Sequence, residues 1–507
     1  MTKEVKKELT TIAVLFALLI VVAIIPAKGF LNFLLYLIPF ALSGFEIFKA
    51  LTEDIMNKRI KLKNNNLQIT VITLLAFIIG KYFDAVVVIL LIRLSDIFKN
   101  WAIKKVTATS GVPSQESKAK IEGFVVRLSK IFTPALLVLS ALVLVIGLIV
   151  DISAWREAIH RSIICLAISY PSALTVSVPL AFASGIGKAK KSGIAVNGAC
   201  FMESLSRCDT VVLEKSGVLT DNTLVIKAIN PEKTGEEQLL EIACLALTNS
   251  NDPIALSVRK VAKGTIEKSL LTKAQEIDGL GILASMTGKI IAVGNEKLME
   301  KLGIEFAEAH YNDAIVVYVA LGSTYLGNIV MQESVKENAD KALYRLKSGG
   351  VKSIVMLTED KMSDAARIAE VLPAIDEFHP SLTLQDKASI IEQLVEGQEK
   401  NEALVYVGNG KADASLRDLA DVGIVLGDAD GDVVIPDGAI EKVPLAVNLA
   451  EETLLTAKEN IVGALAVKLV VLILGVTGVA GLTFAIFADL GITALAILNS
   501  MRIIFKK

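Results

Sequence analysis

Four short polar clusters stand where apolar runs end or helical patterns begin: Glu214-Lys215-Ser216, Thr358-Glu359-Asp360, Gly408-Asn409-Gly410, and Lys387, which opens an amphipathic stretch. Carboxylates at strand ends, glycine turns with free backbone donors and a lysine are the pieces that hold and move a phosphoryl group. Spacing alone leaves a second reading open, in which these are the ordinary polar ends of a doubly wound sheet. Other charges interrupt strongly apolar runs. Asp84 is one, and Lys468 and Asp489 are the only charges in Ile461–Met501. Ionisable groups in such runs are costly and are functional candidates by default.

The polar clusters need a scaffold. Thr210–Glu214, Ser353–Thr358, Ala403–Gly408 and Val422–Gly427 read as short apolar strands. Amphipathic stretches lie between them at Asn338–Lys347, Ser363–Leu372 and Lys387–Leu394. This alternation predicts a parallel sheet wrapped by helices, with its ligand beyond the carboxyl ends of the strands. A long insertion, about 224–331, separates the first strand from the rest and is expected to form its own domain.

Of the 507 residues, 53% are hydrophobic and 21% charged, and mean hydropathy is +0.57. That excludes a disordered chain and is too apolar for an ordinary soluble enzyme. The 52 basic and 54 acidic residues leave a net charge of −2, so no basic field is offered to nucleic acid. Four cysteines without a CxxC pair argue for a reducing compartment. Uncharged runs at Leu9–Ala27, Gly29–Gly44, Leu67–Gly80, Ala85–Ile92, Ile131–Val150 and Ser162–Gly187, with two helices in Ile461–Met501, predict eight membrane spans. In that arrangement Lys3, Lys6 and Lys7, the basic loops 51–66 and 99–130, and Lys188, Lys190 and Lys191 share one side. Both termini and the large soluble region, about 188–457, are therefore expected in the cytoplasm.

The motifs resemble a family. Cys208–Thr220, containing Glu214-Lys215-Ser216-Gly217-Val218-Leu219-Thr220, is similar to the phosphorylation segment of P-type ATPases, which reads Asp-Lys-Thr-Gly-Thr-Leu-Thr. Met356-Leu357-Thr358-Glu359-Asp360 resembles the family's Met-Leu-Thr-Gly-Asp, and Gly408-Asn409-Gly410-Lys411-Ala412-Asp413-Ala414 its Gly-Asp-Gly-X-Asn-Asp-Ala. Gly279, Gly281, Gly288 and Gly294-Asn295 are similar to the nucleotide domain of the heavy-metal branch. Tyr170-Pro171-Ser172 resembles that branch's Cys-Pro-Cys, and the last span, with Asp489 and Lys468, is most similar to zinc, cadmium and lead exporters.

The resemblance implies a multi-pass α-helical membrane protein of about eight spans. A cytoplasmic α/β phosphorylation domain of haloacid-dehalogenase type (188–223 and 332–457) would carry an inserted α+β nucleotide domain (224–331). Helices one to four would occupy 1–98, five and six 131–187, seven and eight 458–507. It further implies catalytic roles for Glu214, Lys215, Thr358, Lys387 and Asp413. Nucleotide contacts would fall to Asp252, Gly279, Gly281, Gly294 and Asn409, and metal contacts to Asp489, Lys468, Asp84, Tyr170 and Ser172. ATP and Mg²⁺ are the implied cofactors, a divalent heavy metal the implied cargo, and a bacterial plasma membrane the implied location.

The departures from the family shape the functional expectation. Glu214 replaces the acceptor Asp, and a misplacement of about 1 Å in such a step can cost on the order of 100-fold. Asn409 replaces the Mg²⁺-binding Asp, Ala412 the phosphate-contacting Asn, and Asp252 the His of Ser-Glu-His-Pro. Residues 99–130 take the place of the actuator domain, with no Thr-Gly-Glu, and are too few for a domain with its own core. Tyr170 and Ser172 remove two thiolates that favour soft metals. These changes predict a degenerate pump that binds metal or nucleotide weakly, or regulates or assembles with another membrane protein. The rivals are an ATP-driven exporter with an actuator supplied in trans, and an ATP-independent metal-binding or permeation scaffold.

Overall fold

The computed structural model describes residues 3–57, 65–110, 118–169, 172–262, 271–286, 288–309, 311, 314–410 and 414–506. They form two compact units, 1–206 with 448–507, and 207–447.

The first unit is helical. It comprises α1 (Lys3–Ile24), α2 (Phe30–Met56), α3 (Asn65–Ile78), α4 (Tyr82–Ser110), α5 (Lys120–Val150), α6 (Trp155–Ile168) and α7 (Ser172–Lys191). A two-residue strand β1 (Ala195–Val196) and a short helix α8 (Ala199–Leu205) lead out of it. Two late helices, Lys442–Val476 and Leu482–Phe505, return to it. Among the described residues six helical stretches are long and apolar enough to cross a membrane, α6 and α7 counting as one. Two of the eight expected spans differ. Helix α3 has only 14 residues, and α4 carries Arg93, Asp96 and Lys99 beyond its apolar run. That run is the centre of the bundle: Ala85–Leu90 are at most 4% exposed, because α4 packs against α1, α2, α3, α7 and the final helix. Glycine at positive φ makes two of the turns, Gly80 (86°) between α3 and α4 and Gly478 (81°) between the last two helices.

The interval 99–130, expected as a linker, is mostly helix. Ala102 and Val106 are buried against Leu180, Ile497 and Met501, and this packing carries α4 on to Ser110. Helix α5 then starts at Lys120, so only residues 111–119 join the two.

The second unit holds two sheets. Its strands and helices run β2 (Cys208–Glu214), β3 (Thr220–Pro231), α9 (Glu236–Ala246), α10 (Pro253–Val261), β4 (Leu271–Ile277), β5 (Gly281–Met286), β6 (Lys289–Gly294), α11 (Glu296–Lys301), β7 (Ile315–Leu321) and β8 (Thr324–Val335). They continue α12 (Ala339–Ser348), β9 (Ser353–Leu357), α13 (Met362–Val371), β10 (Glu377–His379), α14 (Leu384–Glu396), β11 (Ala403–Gly408), α15 (Ala414–Arg417), β12 (Val422–Leu426) and β13 (Val433–Ile435). The returning helices are α16 (Lys442–Val476) and α17 (Leu482–Phe505).

The first sheet is parallel, in the order β13–β12–β11–β2–β9–β10. Its centre is the expected strand set, with Val212, Val355, Leu404 and Tyr406 fully buried. The second is antiparallel, in the order β3–β8–β7–β6–β5–β4, with α9 and α10 against it. Strands β3 and β8 pair from Thr220–Val335 to Pro231–Gly327, so the insertion begins and ends as one ribbon. The expected junctions at 223/224 and 331/332 therefore fall inside strands. Likewise α16 runs unbroken through 457/458.

Candidate phosphoryl site, nucleotide pocket and membrane ion pair

Register places the polar clusters together. Glu214 pairs with Leu357 across β2 and β9, and Leu213 with Val407 across β2 and β11. Three adjacent strands thus end side by side, and their next residues, Lys215, Thr358 and Gly408–Asn409, meet at one edge.

Two buried lysines organise that edge. Lys387 stands 3.3 Å from Glu214 Oε1 and 3.2 Å from Glu359 Oε1. It lies in the first turn of α14, which opens at Leu384 rather than at Lys387. A reciprocal capping box between Thr383 and Asp386 starts the helix three residues early. Burial opposes the Lys387 charge, but Glu214 and Glu359 outweigh it and hold the ammonium above its ordinary value. Lys215, 1% exposed, reaches Glu333 at 2.9 Å, Asp360 at 2.7 Å and Asp364 at 2.5 Å. Burial again opposes the charge, and the three carboxylates more than compensate, so Lys215 is also held above the usual lysine value. For Asp360 burial pushes the pKa up, yet hydrogen bonds from Lys215 and Thr358 (2.7 Å) bring it below the usual carboxylate range.

Asn409 donates its side-chain amide to Ser216 O at 2.9 Å and lies over Gly217. Gly217 has φ +76°, and a Cβ there would sit 1.5 Å from the Asn409 nitrogen. Lys336 donates to Gly217 O (2.8 Å) and to Gly438 O (3.0 Å). These residues border a polar cavity of about 500 Å³. Among the described residues, the groups beside Glu214 do not fit a Mg²⁺ ion, which takes carboxylate oxygens. Glu214 is paired to Lys387, and Asn409 is a neutral amide tied to the backbone. No group of three or more His, Cys, Asp or Glu arranged to hold a metal occurs among the described residues.

The inserted domain brings Asp252, Gly279, Gly281, Gly294 and Asn295 to one cavity of about 320 Å³, within the range of small-molecule sites. Two glycines are there for close approach. A Cβ on Gly281 would meet Val293 O at 2.3 Å, and one on Gly294 would meet Leu280 O at 2.2 Å. Asn295 donates to Gly279 O at 2.8 Å and caps α11. Asp252 caps α10, accepting from Ile254 N at 2.8 Å. Asn409, grouped with these residues in the sequence, lines the other cavity.

In the helical unit Lys468, 2% exposed, forms an ion pair with Asp489 and donates to Ile168 O at 3.1 Å. Thr493 donates to Asp489 O at 2.7 Å. Asp84 accepts from Thr483 Oγ1 at 2.6 Å. Cys165 is fully buried. Tyr170 and Asp413 lie outside the described residues, as does the side chain of Ser172.

Glu333, Asp364 and Lys336 complete the phosphoryl edge and carry no motif. The one available signal was position: Glu333 and Lys336 close the insertion, and Asp364 opens an amphipathic helix.

The sequence profile of haloacid dehalogenase-like hydrolases matches residues 208–416. The chain is 35% identical over 399 residues to a cadmium, zinc and cobalt-transporting ATPase of Bacillus subtilis (strain 168), covering 77% of this chain and 57% of that protein. It is 35% identical over 424 residues to a zinc-transporting ATPase of Synechocystis sp., covering 82% and 58%. It thus spans less than two thirds of the length of these relatives. A crystal structure of a zinc-transporting PIB-type ATPase in the E2·Pi state superposes with a TM-score of 0.67 at 20% identity, over 98% of this chain and 100% of the other, which establishes a shared fold.

Proposed function

We propose, from the premise that the chain belongs to the heavy-metal branch of the P-type ATPase family, that it is a membrane-embedded member whose phosphoryl site does not turn over by itself. It handles a divalent heavy-metal cation and nucleotide weakly, in a plasma membrane with both termini cytoplasmic, and works with another membrane protein or a separate actuator domain. The observation that carries this reading is the saturation of the phosphoryl edge. Lys387 is paired to Glu214, Lys215 to three carboxylates, and Asn409 to Ser216 O where the family has its Mg²⁺ carboxylate. Only residues 111–119 stand between α4 and α5, where the family resets its phosphoenzyme.

The second reading is an ATP-driven zinc or cadmium-type exporter with Glu214 as acceptor. The preserved Lys468–Asp489 pair and the open pocket around Gly279 favour it. Purified protein incubated with γ-labelled ATP separates the two. We expect no acid-stable, hydroxylamine-labile label. A label lost in Glu214→Gln and turning over without added protein establishes the exporter instead.

A further inference from the structure

Within the helical unit a groove of about 910 Å³ opens between the end of α4, the start of α5 and the middle of α7. Its floor is apolar: Val106, Val125, Leu174, Val178 and Leu180 are each at most 4% exposed. Its rim is basic: Lys118, Lys120, Arg127 and Lys130 are all exposed. Among the described lining residues the single carboxylate, Glu122, is buried. An apolar slot edged by cations on one side only matches an amphiphile with an anionic head, not a peptide helix, which would bring polar flanks of both signs.

Position along the helices agrees. Thr133 of α5 donates to Ser169 O at 3.0 Å, and Ser140 to Ser162 O at 2.9 Å, so α5 and α6–α7 run side by side in opposite directions. The uncharged run Ile131–Val150 is about 30 Å of helix, the thickness of a bilayer core. The basic rim therefore begins where that run ends, on the end of the bundle that also carries Lys188, Lys190 and Lys191.

We propose that this groove is a binding site for an anionic phospholipid, with an acyl chain along the floor and the phosphate against Lys118, Lys120, Arg127 and Lys130. The proposal does not depend on whether the phosphoryl site turns over.

The test uses the full chain in nanodiscs of phosphatidylcholine mixed with phosphatidylglycerol, followed by mild extraction and counting of co-purifying lipid by mass spectrometry. We expect phosphatidylglycerol to be retained over phosphatidylcholine by about tenfold at low salt, with the preference falling as salt screens the exposed basic rim. The combined variant Lys118→Ala/Lys120→Ala/Arg127→Ala/Lys130→Ala should abolish that preference. Gly123→Phe keeps every charge and puts a ring into the groove, where a Cβ at Gly123 meets nothing within 4 Å, and should abolish it too. Lys3→Ala/Lys6→Ala/Lys7→Ala, which removes basic charge outside the groove, should not, and thermal melting verifies that each variant folds. Equal retention of the two lipids, retention that either groove variant leaves intact, or no retained lipid because chain or another protein fills the groove, overturns the proposal.

Discussion

Lys387 lies 3.3 Å from the carboxylate of Glu214, and both side chains are buried. One carboxylate oxygen, Oε1, faces an ammonium that a second carboxylate, Glu359, also holds. Breaking such a pair from one side leaves an uncompensated buried charge, at about 3–5 kcal/mol. Lys387→Met should therefore lower the unfolding midpoint of the soluble unit sharply, and adding Glu214→Gln should recover much of the loss. A thermal or urea melt of the two single variants and the double variant reads the coupling; strict additivity contradicts a buried pair.

Asn409→Asp replaces an amide donor by an acceptor facing Ser216 O, 2.9 Å away. Without metal the variant should lose about 1–3 kcal/mol from the broken hydrogen bond and the repulsion between two acceptors. With Mg²⁺ the new carboxylate gains a ligand. The expected result is a Mg²⁺-dependent rise in melting temperature in Asn409→Asp that is absent from the parent chain, measured by titrating MgCl2 in a thermal-shift assay.

Gly217 occupies φ +76°, and a Cβ would lie 1.5 Å from the Asn409 nitrogen. Gly217→Ala should cost about 1–3 kcal/mol from backbone strain and the clash together. Gly217→Ala/Asn409→Ala removes the clash and retains the strain, so a partial recovery in the melt separates the two contributions.

The pH dependence has a definite sign at each limit. Asp360 is held below the usual carboxylate range despite its burial, chiefly by Lys215, so folding favours its ionised form. Its contribution is present above the ordinary carboxylate value and is lost as pH falls through the folded one. Lys215 and Lys387 are held above 10.5 against the effect of burial, so their contribution is complete below that value and is lost as pH rises through the folded values. Stability of the soluble unit should be level between these limits. Asp360→Asn should flatten the acid limb in melts from pH 3 to 7, and an unchanged limb would show that Asp360 takes no part in it.

Much of this architecture can be read from residue patterns, and what cannot has a physical cause. The four central strands are largely buried apolar runs, visible as such in the chain. Strands β10 and β13 have three residues each and offer no run to see. Glu214, Thr358 and Asn409 were legible because each ends or directly follows a strand, and strand ends in a parallel sheet converge. Glu333, Asp364 and Lys336 were not, because β8 and α13 deliver them only once pairing register and helix packing are set. The start of α14 was legible in principle from Thr383 and Asp386, the capping box that the reading at Lys387 passed over.

The ammonium of Lys336 is a rivet. It fastens the last residues of the ribbon that leaves the inserted domain to the carbonyl of Gly217, three residues after Glu214, and to Gly438, more than 100 residues further on. Burial pushes its pKa down, with Asp221 and Glu441 opposing, so the fastening is made with a cation that its surroundings only partly favour. Removing that one ammonium therefore unties the base of the ribbon from both loops, so a single side chain sets how the ribbon, Gly217 and Gly438 are held together.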